Sequence, residues 1–568
     1  MKKWQIYRQN PTLSQKLSSE LKVSPFIAQI LLNRGMNFKK EADEFLNPRL
    51  NNLKDPFDIP NIGIAAKRVL LAKEAGEKIL IYGDYDVDGV TATVVLIETL
   101  KYLGINPRFY IPSRYGEGYS LNIEAVKKAK DEGTSLIITV DCGISNLAEI
   151  EAANSLGMEV IVTDHHNLPS ELPKSYANVN PKMINGDHPS KYLSGVGVAF
   201  KFAWVLLRMA GIKENGFLTS LLDLVALGTV ADIVPLTEEN RILTVCGLNI
   251  LNEKKRLGIK HLAEAAFISG KISVHNINFG LAPRLNAAGR LEHASLSVKL
   301  LTSDSADEAS RAAHEINQIN IRRQGIGENI QEEIFSKILD QKENKIIIAS
   351  GNGWHPGVIG IVASRVVDAY YRPTVLIGIN EGVGRGTART IAEFNIFETL
   401  YACRDLFDDF GGHERAAGFE INPDKIPELK TRLLENTEAK ISDELLIPKI
   451  QIDAEINPQQ ITLGLIKELE ILSPHGEGNP APVFMTKNLT LSDMRKVGSS
   501  GSHLKIKMSD GHSHLEIIGF GMGDRAYDLS AGKSYDIAYN LKSNEWNGFE
   551  SAQLNLVDIK ETAKWKFW

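Results

Sequence analysis

At 568 residues, 43% hydrophobic and 24% charged, the chain has the make-up of a soluble globular protein with about three or four folded units. A formal charge of −6 excludes binding to a polyanion by bulk positive charge, so any such partner must be met by a local cluster of cations. Three cysteines far apart in sequence rule out a disulfide framework and fit a reducing compartment. The opening residues lack the apolar run of a signal peptide, and no uncharged stretch of about 18 residues could span a bilayer. The expectation is a cytoplasmic protein with no membrane partner.

Residues 1–60 are polar, and Asn47-Pro48 and Asp55-Pro56 favour turns over long helices; they read as a leader packed on the domain that follows. Residues 61–302 form the first domain. Lys78-Ile79-Leu80-Ile81-Tyr82 is a buried-strand pattern, followed by an Asp/Gly-rich loop and an apolar helical segment over 90–102. The same unit recurs with strands at 135–140 and 159–162, which predicts a parallel sheet of βαβ units. The segment 195–235 is apolar and helical. Residues 303–342 are charged and proline-free, with Ala312, Ile316, Ile319 and Ile330 at helical spacing, and predict a connecting helix. A second α/β domain follows over 343–447. From 448 to 568 short alternating strands at 485–492, 503–509, 514–520, 534–541 and 551–559 predict a small OB-type β-barrel. The fold class is therefore α/β: a parallel-sheet domain joined by a long helix to a second α/β domain, plus a C-terminal barrel.

The chemistry concentrates at strand ends. Gly83-Asp84-Tyr85-Asp86-Val87-Asp88-Gly89 places three aspartates on alternate residues, Val140-Asp141-Cys142-Gly143 adds another, and Thr163-Asp164-His165-His166 adds an acid and two imidazoles. Asp232 lies in the apolar Gly228-Thr229-Val230-Ala231-Asp232. A single such loop is as well explained by helix capping or a tight turn. Three successive strand ends carrying acids are not, because in parallel sheets the carboxyl ends of strands share one ligand edge. Carboxylates and imidazoles without thiolate suit Mn²⁺ or Mg²⁺, and two such ions can cut a phosphodiester.

These motifs resemble, in order, those of the DHH phosphoesterase superfamily. Ser194-Gly195-Val196-Gly197, Pro283-Arg284-Leu285-Asn286-Ala287-Ala288-Gly289-Arg290, Gly353-Trp354-His355-Pro356-Gly357 and Gly476-Glu477-Gly478-Asn479-Pro480 are similar to those of its RecJ branch of single-strand-specific exonucleases. The resemblance implies Asp86, Asp88, Asp141, His165 and Asp232 as ligands of two Mn²⁺ or Mg²⁺ ions. Asp84 is either a further ligand or a group behind them, and His166 faces the phosphate; Asp86, Asp88 and His166 form the catalytic set. Several relatives carry a histidine where Tyr82 stands here.

Substrate contacts are expected elsewhere. Gly382-Val383-Gly384-Arg385-Gly386-Thr387 reads as a glycine-rich anion loop, and the resemblance pairs it with Gly411-Gly412-His413 to hold a 5′ end through Arg385 and His413. Arg284 and Arg290 could share a cleft wall, Tyr119 could stack on bases, and Trp354 could line the cleft. Arg495, Lys496, Lys505 and Lys507 lie in a run without acids and could form one basic face on the barrel. The resemblance implies a 5′-to-3′ exonuclease releasing 5′-mononucleotides from single-stranded DNA in repair and recombination, with a helicase or single-strand-binding protein as further partner. The alternatives are a small-substrate phosphoesterase acting on short oligoribonucleotides or nucleoside bisphosphates, and a catalytically dead DNA-binding scaffold.

Overall fold

The structure, a computed structural model, describes residues 2–113, 120–213, 216–341, 343–546 and 549–562. The chain forms two units. One holds residues 54–234 and 243–448; the other combines residues up to 53, 235–242 and those from 449 onward.

In the first of these units Ile79–Gly83 and Leu136–Val140 are buried at every residue, as strands covered on both faces must be. They lie in a five-stranded parallel sheet in the order Arg108–Tyr110, Ile79–Gly83, Leu136–Val140, Glu159–Thr163, Ala177–Val179. The three-residue strands Arg108–Tyr110 and Ala177–Val179 are too short for a periodic signal and were not expected from the sequence. Chain order reverses beside Ile79–Gly83, so a ligand crevice forms at the carboxyl edge between that strand and Leu136–Val140. Helices Val87–Tyr102, Gly195–Met209 and Leu222–Ala231 pack there, the second capped by Ser194 Oγ accepting from the Gly197 amide at 3.3 Å.

The connecting helix runs Ala306–Lys337, and buries Ala309, Ala313, Ile316, Ile319, Ile330 and Ile334 along one face. It leads to a mixed sheet ordered Phe407–His413, Ala416–Ile421, Val383–Arg389, Thr374–Asn380, Ile347–Asn352. Here the sequence reading needs correction: the glycine-rich stretch around Arg385 is not a loop but the strand Val383–Arg389. Gly386 is required by packing, since a Cβ there would come within 2.0 Å of the Phe419 ring.

The second unit contains the barrel. Strands Phe484–Val497, His503–Ser509, His514–Gly519, Phe549–Glu561 and Ser534–Trp546 pair in that order, and Phe484–Val497 closes on Ser534–Trp546. The opening segment also departs from expectation. Residues 11–46 hold the helices Pro11–Leu21, Pro25–Asn33 and Lys39–Leu46, and they share a hydrophobic core with the barrel, not with the domain that follows them. Leu17, Ile27, Ile30 and Leu31 pack in one cluster with Leu489, Ile506 and Ile537, while Lys3–Ile6 pairs in parallel with Lys449–Ile452. Prolines at the first helical positions start two of these helices instead of breaking them.

Candidate active site

Each acid reaches the crevice through a local device. Asp86 is the N-cap of Val87–Tyr102 and accepts from the Gly89 amide at 3.1 Å. Asp88, two residues later and 1% exposed, accepts from the Gly195 and Val196 amides at 2.6 and 2.8 Å. It thereby satisfies orphan donors at the start of Gly195–Met209 and fixes that helix to the loop. Asp141 follows its strand in a left-handed conformation, φ 61°, which a non-glycine residue adopts only where its surroundings impose it. Ile233, directly after Asp232, is also left-handed at φ 60° and is 66% exposed.

These residues converge. His165 Nε2 lies 3.1 Å from Asp141 Oδ1, 3.7 Å from Asp232 Oδ2 and 3.9 Å from Asp88 Oδ2. Asp84, Asp86 and Asp141 form an adjoining group, with ligand atoms all within 4.8 Å of one another. Asp141 Oδ1, His165 Nε2 and Asp232 Oδ2 are buried and make no hydrogen bond. Buried polar atoms facing one another without hydrogens between them are what a divalent cation would satisfy.

The electrostatics point the same way. Burial, then the charge of Asp86, pushes the Asp88 carboxyl up to about 7, against the two amides that favour its ionised form. Asp141 and Asp232 are held well above the ordinary carboxylate range by burial and then by Asp88. His165 is lowered to about 3 by burial and by His166, which leaves it neutral and able to act as a metal ligand. Asp164 plays a different part. Its carboxylate accepts from the amides of Ile144 and His165 at 3.0 and 2.7 Å and lies 2.7 Å from His166 Nδ1. Despite burial, this pairing holds Asp164 at about 2 and raises His166 to about 9. His166 is thus a cation at neutral pH, with its side chain 45% exposed.

Tyr82 offers no imidazole to the cluster. It is 1% exposed, donates its hydroxyl to the Ser120 carbonyl at 2.9 Å and accepts from Asn122 Nδ2 at 3.2 Å.

The arginines of Pro283–Arg290 are divided. Both lie on the helix Ala282–Leu291, where six residues turn through about 240°, so they cannot share one wall. Arg284 donates to the Gly280 carbonyl and Asn317 Oδ1, and Arg290 donates to the Gly357 carbonyl at 3.0 Å across to the second α/β domain. The helix itself serves the acids: Asn286 Oδ1 accepts from the Val87 amide at 3.1 Å. A Cβ on Gly289 would come within 2.7 Å of the Tyr85 carbonyl.

In the second sheet His413 is exposed and lies within electrostatic reach of Arg389 and His166. Arg385 instead bonds Glu420 on the neighbouring strand at 2.7 Å. Trp354 does not line a cleft. It is 2% exposed, packed with Val358 and Leu376, and its indole N–H donates to Glu333 at 2.8 Å. A Cβ on Gly351 would come within 2.2 Å of the ring, while Gly353 beside it takes a left-handed φ of 75° with open space around it. Tyr119 lies outside the described residues.

On the barrel Arg495 pairs directly opposite Lys505, and Lys507 follows on the same face. Lys496 sits opposite the buried Leu504 and so points to the other side, where it pairs with Asp524 at 3.0 Å and covers the Tyr527 ring. The acid-free run also meets acid from outside: Glu516 on the next strand reaches Lys505 at 2.8 Å and Lys507 at 3.4 Å.

Sequence reasoning missed several residues near these sites. Lys182, whose pKa burial lowers against the charges of Asp164 and Asp232, lies within electrostatic reach of those acids. Arg389 neighbours His413, and Phe520 and Tyr527 are aromatic side chains 56% and 79% exposed on the barrel. Each is a lone residue outside any motif, so no spacing signalled it.

Family models match the chain in three places: the DHH family, N-terminal domain over 78–229, the DHHA1 domain over 343–439 and the RecJ OB domain over 452–558. The single-stranded-DNA-specific exonuclease RecJ of Bacillus subtilis is 39% identical over all of this chain and 72% of its own length. That of Escherichia coli is 32% identical over 98% of this chain and 99% of its own. The chain belongs to the RecJ family. The crystal structure of RecJ in complex with Mn²⁺ from Thermus thermophilus superposes with a TM-score of 0.86 at 31% identity, covering 99% of this chain and 80% of that one. A Mg²⁺ complex from the same organism gives 0.79 at 29% identity, covering 99% and 79%. The manganese and magnesium of those RecJ structures suit the oxygen-rich donor set here.

Proposed function

We propose that the chain is an exonuclease that removes 5′-mononucleotides from the 5′ end of single-stranded DNA in repair and recombination. The observation that carries this reading is the meeting of Asp141 Oδ1, His165 Nε2 and Asp232 Oδ2, buried and without hydrogen bonds, beside Asp84, Asp86 and Asp88. Asp86, Asp88, Asp141, His165 and Asp232, with Asp84 beside them, would hold two Mn²⁺ or Mg²⁺ ions. Bound there, such ions activate water and neutralise charge on the attacking and leaving oxygens of a phosphodiester.

The chain's own groups do the rest. His166, oriented through Nδ1 by Asp164, donates from its other ring nitrogen to a phosphate oxygen and stabilises charge as it develops. His413 and Arg389 hold the 5′ end; Arg385 joins them only by releasing Glu420. Arg290 ties the two α/β domains through Gly357 and so fixes the width of the passage to the acids. On the barrel, Arg495, Lys505 and Lys507 track the backbone of the strand, and Phe520 and Tyr527 stack on bases. A barrel of this kind has no use in a phosphoesterase of small substrates, and intact acids have none in a dead scaffold.

The reading extends to a helicase or single-strand-binding protein as partner and to the cytoplasm as compartment. Among the described residues no helix is long and apolar enough to cross a membrane. Digestion of single- and double-stranded DNA labelled at either end tests the activity. The 5′ label is expected to leave first, as mononucleotide, from single strands only; release of the 3′ label first would refute the polarity.

A further inference from the structure

The helix Leu222–Ala231 ends in a common way: Asp232 is its C-cap, and the next residue turns left-handed, its amide donating to the Val230 carbonyl at 3.3 Å. That position usually holds glycine, sometimes asparagine, because a Cβ is crowded at positive φ. Here it holds Ile233 at φ 60°, the one β-branched residue in this conformation among the described residues. Branching at Cβ makes the crowding worse. Packing does not offset it, since Ile233 is 66% exposed. Glycine would serve the fold better, so this side chain serves something outside the fold.

What it faces follows from its neighbour. Of the three carboxylates around His165, those of Asp88 and Asp141 are 1% and 3% exposed, whereas that of Asp232 is 22% exposed. The cluster therefore opens to solvent on the Asp232 side. Ile233 stands one Cα step, about 3.8 Å, from that open ligand. An apolar side chain there is within reach of what flanks a phosphodiester held at the acids. The flanking groups are sugars; the bases lie further out. The apolar part of a deoxyribose is its C2′ methylene, the position where RNA carries a hydroxyl.

We propose that Ile233 is a specificity-determining residue of the exonuclease, packing against the deoxyribose beside the cut phosphodiester so that a 2′-hydroxyl there is disfavoured. The contact removes apolar surface from water, whereas a hydroxyl in the same place loses its water and gains no hydrogen bond. The inference rests on the reading of the chain as a single-strand nuclease and adds to it a selection for sugar.

The test compares 5′-phosphorylated single-stranded DNA with the same strand carrying one ribonucleotide at its first or second position. Cleavage in manganese is measured for wild type, Ile233→Gly and Ile233→Asn, together with melting temperature and manganese affinity. Wild type is expected to favour the all-deoxy strand in kcat/KM by about 10- to 100-fold over one of the two chimeras, as an apolar contact does against an added hydroxyl. Both substitutions should narrow that ratio by about tenfold. Neither should melt below wild type, since glycine and asparagine suit positive φ. Manganese affinity should hold, because the backbone that aims Asp232 is kept. Equal rates on all three strands by wild type, or a ratio unchanged in both variants, would overturn the proposal. So would a ratio narrowed only where manganese binding weakens, which would make Ile233 a support for Asp232 and not a contact for the strand. A wild type that cleaves DNA yet fails these comparisons defeats the sugar contact alone; one that releases no nucleotide from any strand defeats the nuclease reading beneath it.

Discussion

Asp88 carries two duties that pull against each other. Its carboxylate caps Gly195–Met209, yet burial beside Asp86 makes its ionised form costly until a cation arrives. With a folded pKa of about 7 against 3.8 unfolded, the metal-free protein loses stability from this group as pH rises from about 4 to 7. Asp88→Asn is therefore expected to abolish cleavage, with a loss of about 10³-fold or more. In chelator at pH 7.5 its melting temperature should stay level or rise, and a marked fall would show that the cap outweighs the charge. In the Asp164–His166 pair, by contrast, the charged forms are the stable ones. His166, raised to about 9, contributes stability fully below 6.5 and loses it as pH rises through 9; Asp164, lowered to about 2, contributes above 3.8 and loses it as pH falls through 2. Asp164→Asn should return the His166 titration, followed by ring-proton NMR in chelator, toward 6.5; a midpoint still near 9 would contradict the pairing. At this scale the acids were legible in the sequence because four short motifs each place them next to a strand or helix end. Trp354 was not, since a tryptophan between glycines reads the same whether a ligand or a core fills the space around it.

Among elements, the helix Ala282–Leu291 is the support on which the first aspartate loop rests. Gly289 is close enough to the Tyr85 carbonyl that Gly289→Ala must displace the loop or the helix. The substitution is expected to cost about 1–3 kcal/mol of stability. It should also weaken manganese binding severalfold, as read by calorimetry; wild-type affinity would show that the contact does not position the acids. Strand and helix order in the first domain was readable because buried strands are continuous apolar runs. The stretch around Arg385 was misread for a physical reason: glycines at alternate positions suit both a phosphate loop and a strand packed against an aromatic ring. Only Phe419, contributed from more than thirty residues away, decides between them.

At the scale of the molecule, the first fifty residues belong with the last hundred and twenty, roughly speaking, because they complete one hydrophobic core. No local pattern announces a partner so distant in sequence, whereas the barrel's own strands declared themselves by alternation. Removing 449–568 would strip the helices of residues 11–46 of that core. It would also take from the buried Arg241 its acceptors at Leu472, Ser473 and Pro474. Such a truncated chain is expected to aggregate or bind a hydrophobic dye; one lacking 1–53 as well should fare better. A soluble 1–448 with native helicity would contradict the shared core.

The most direct test is manganese stoichiometry read alongside cleavage. Equilibrium dialysis of the wild-type chain is expected to find two bound ions. His165→Ala and Asp141→Asn should each bind fewer and release no nucleotide from single-stranded DNA. Full cleavage by either variant, or by the wild type in chelator, would contradict the claim that these side chains meet to hold the ions that cut the strand.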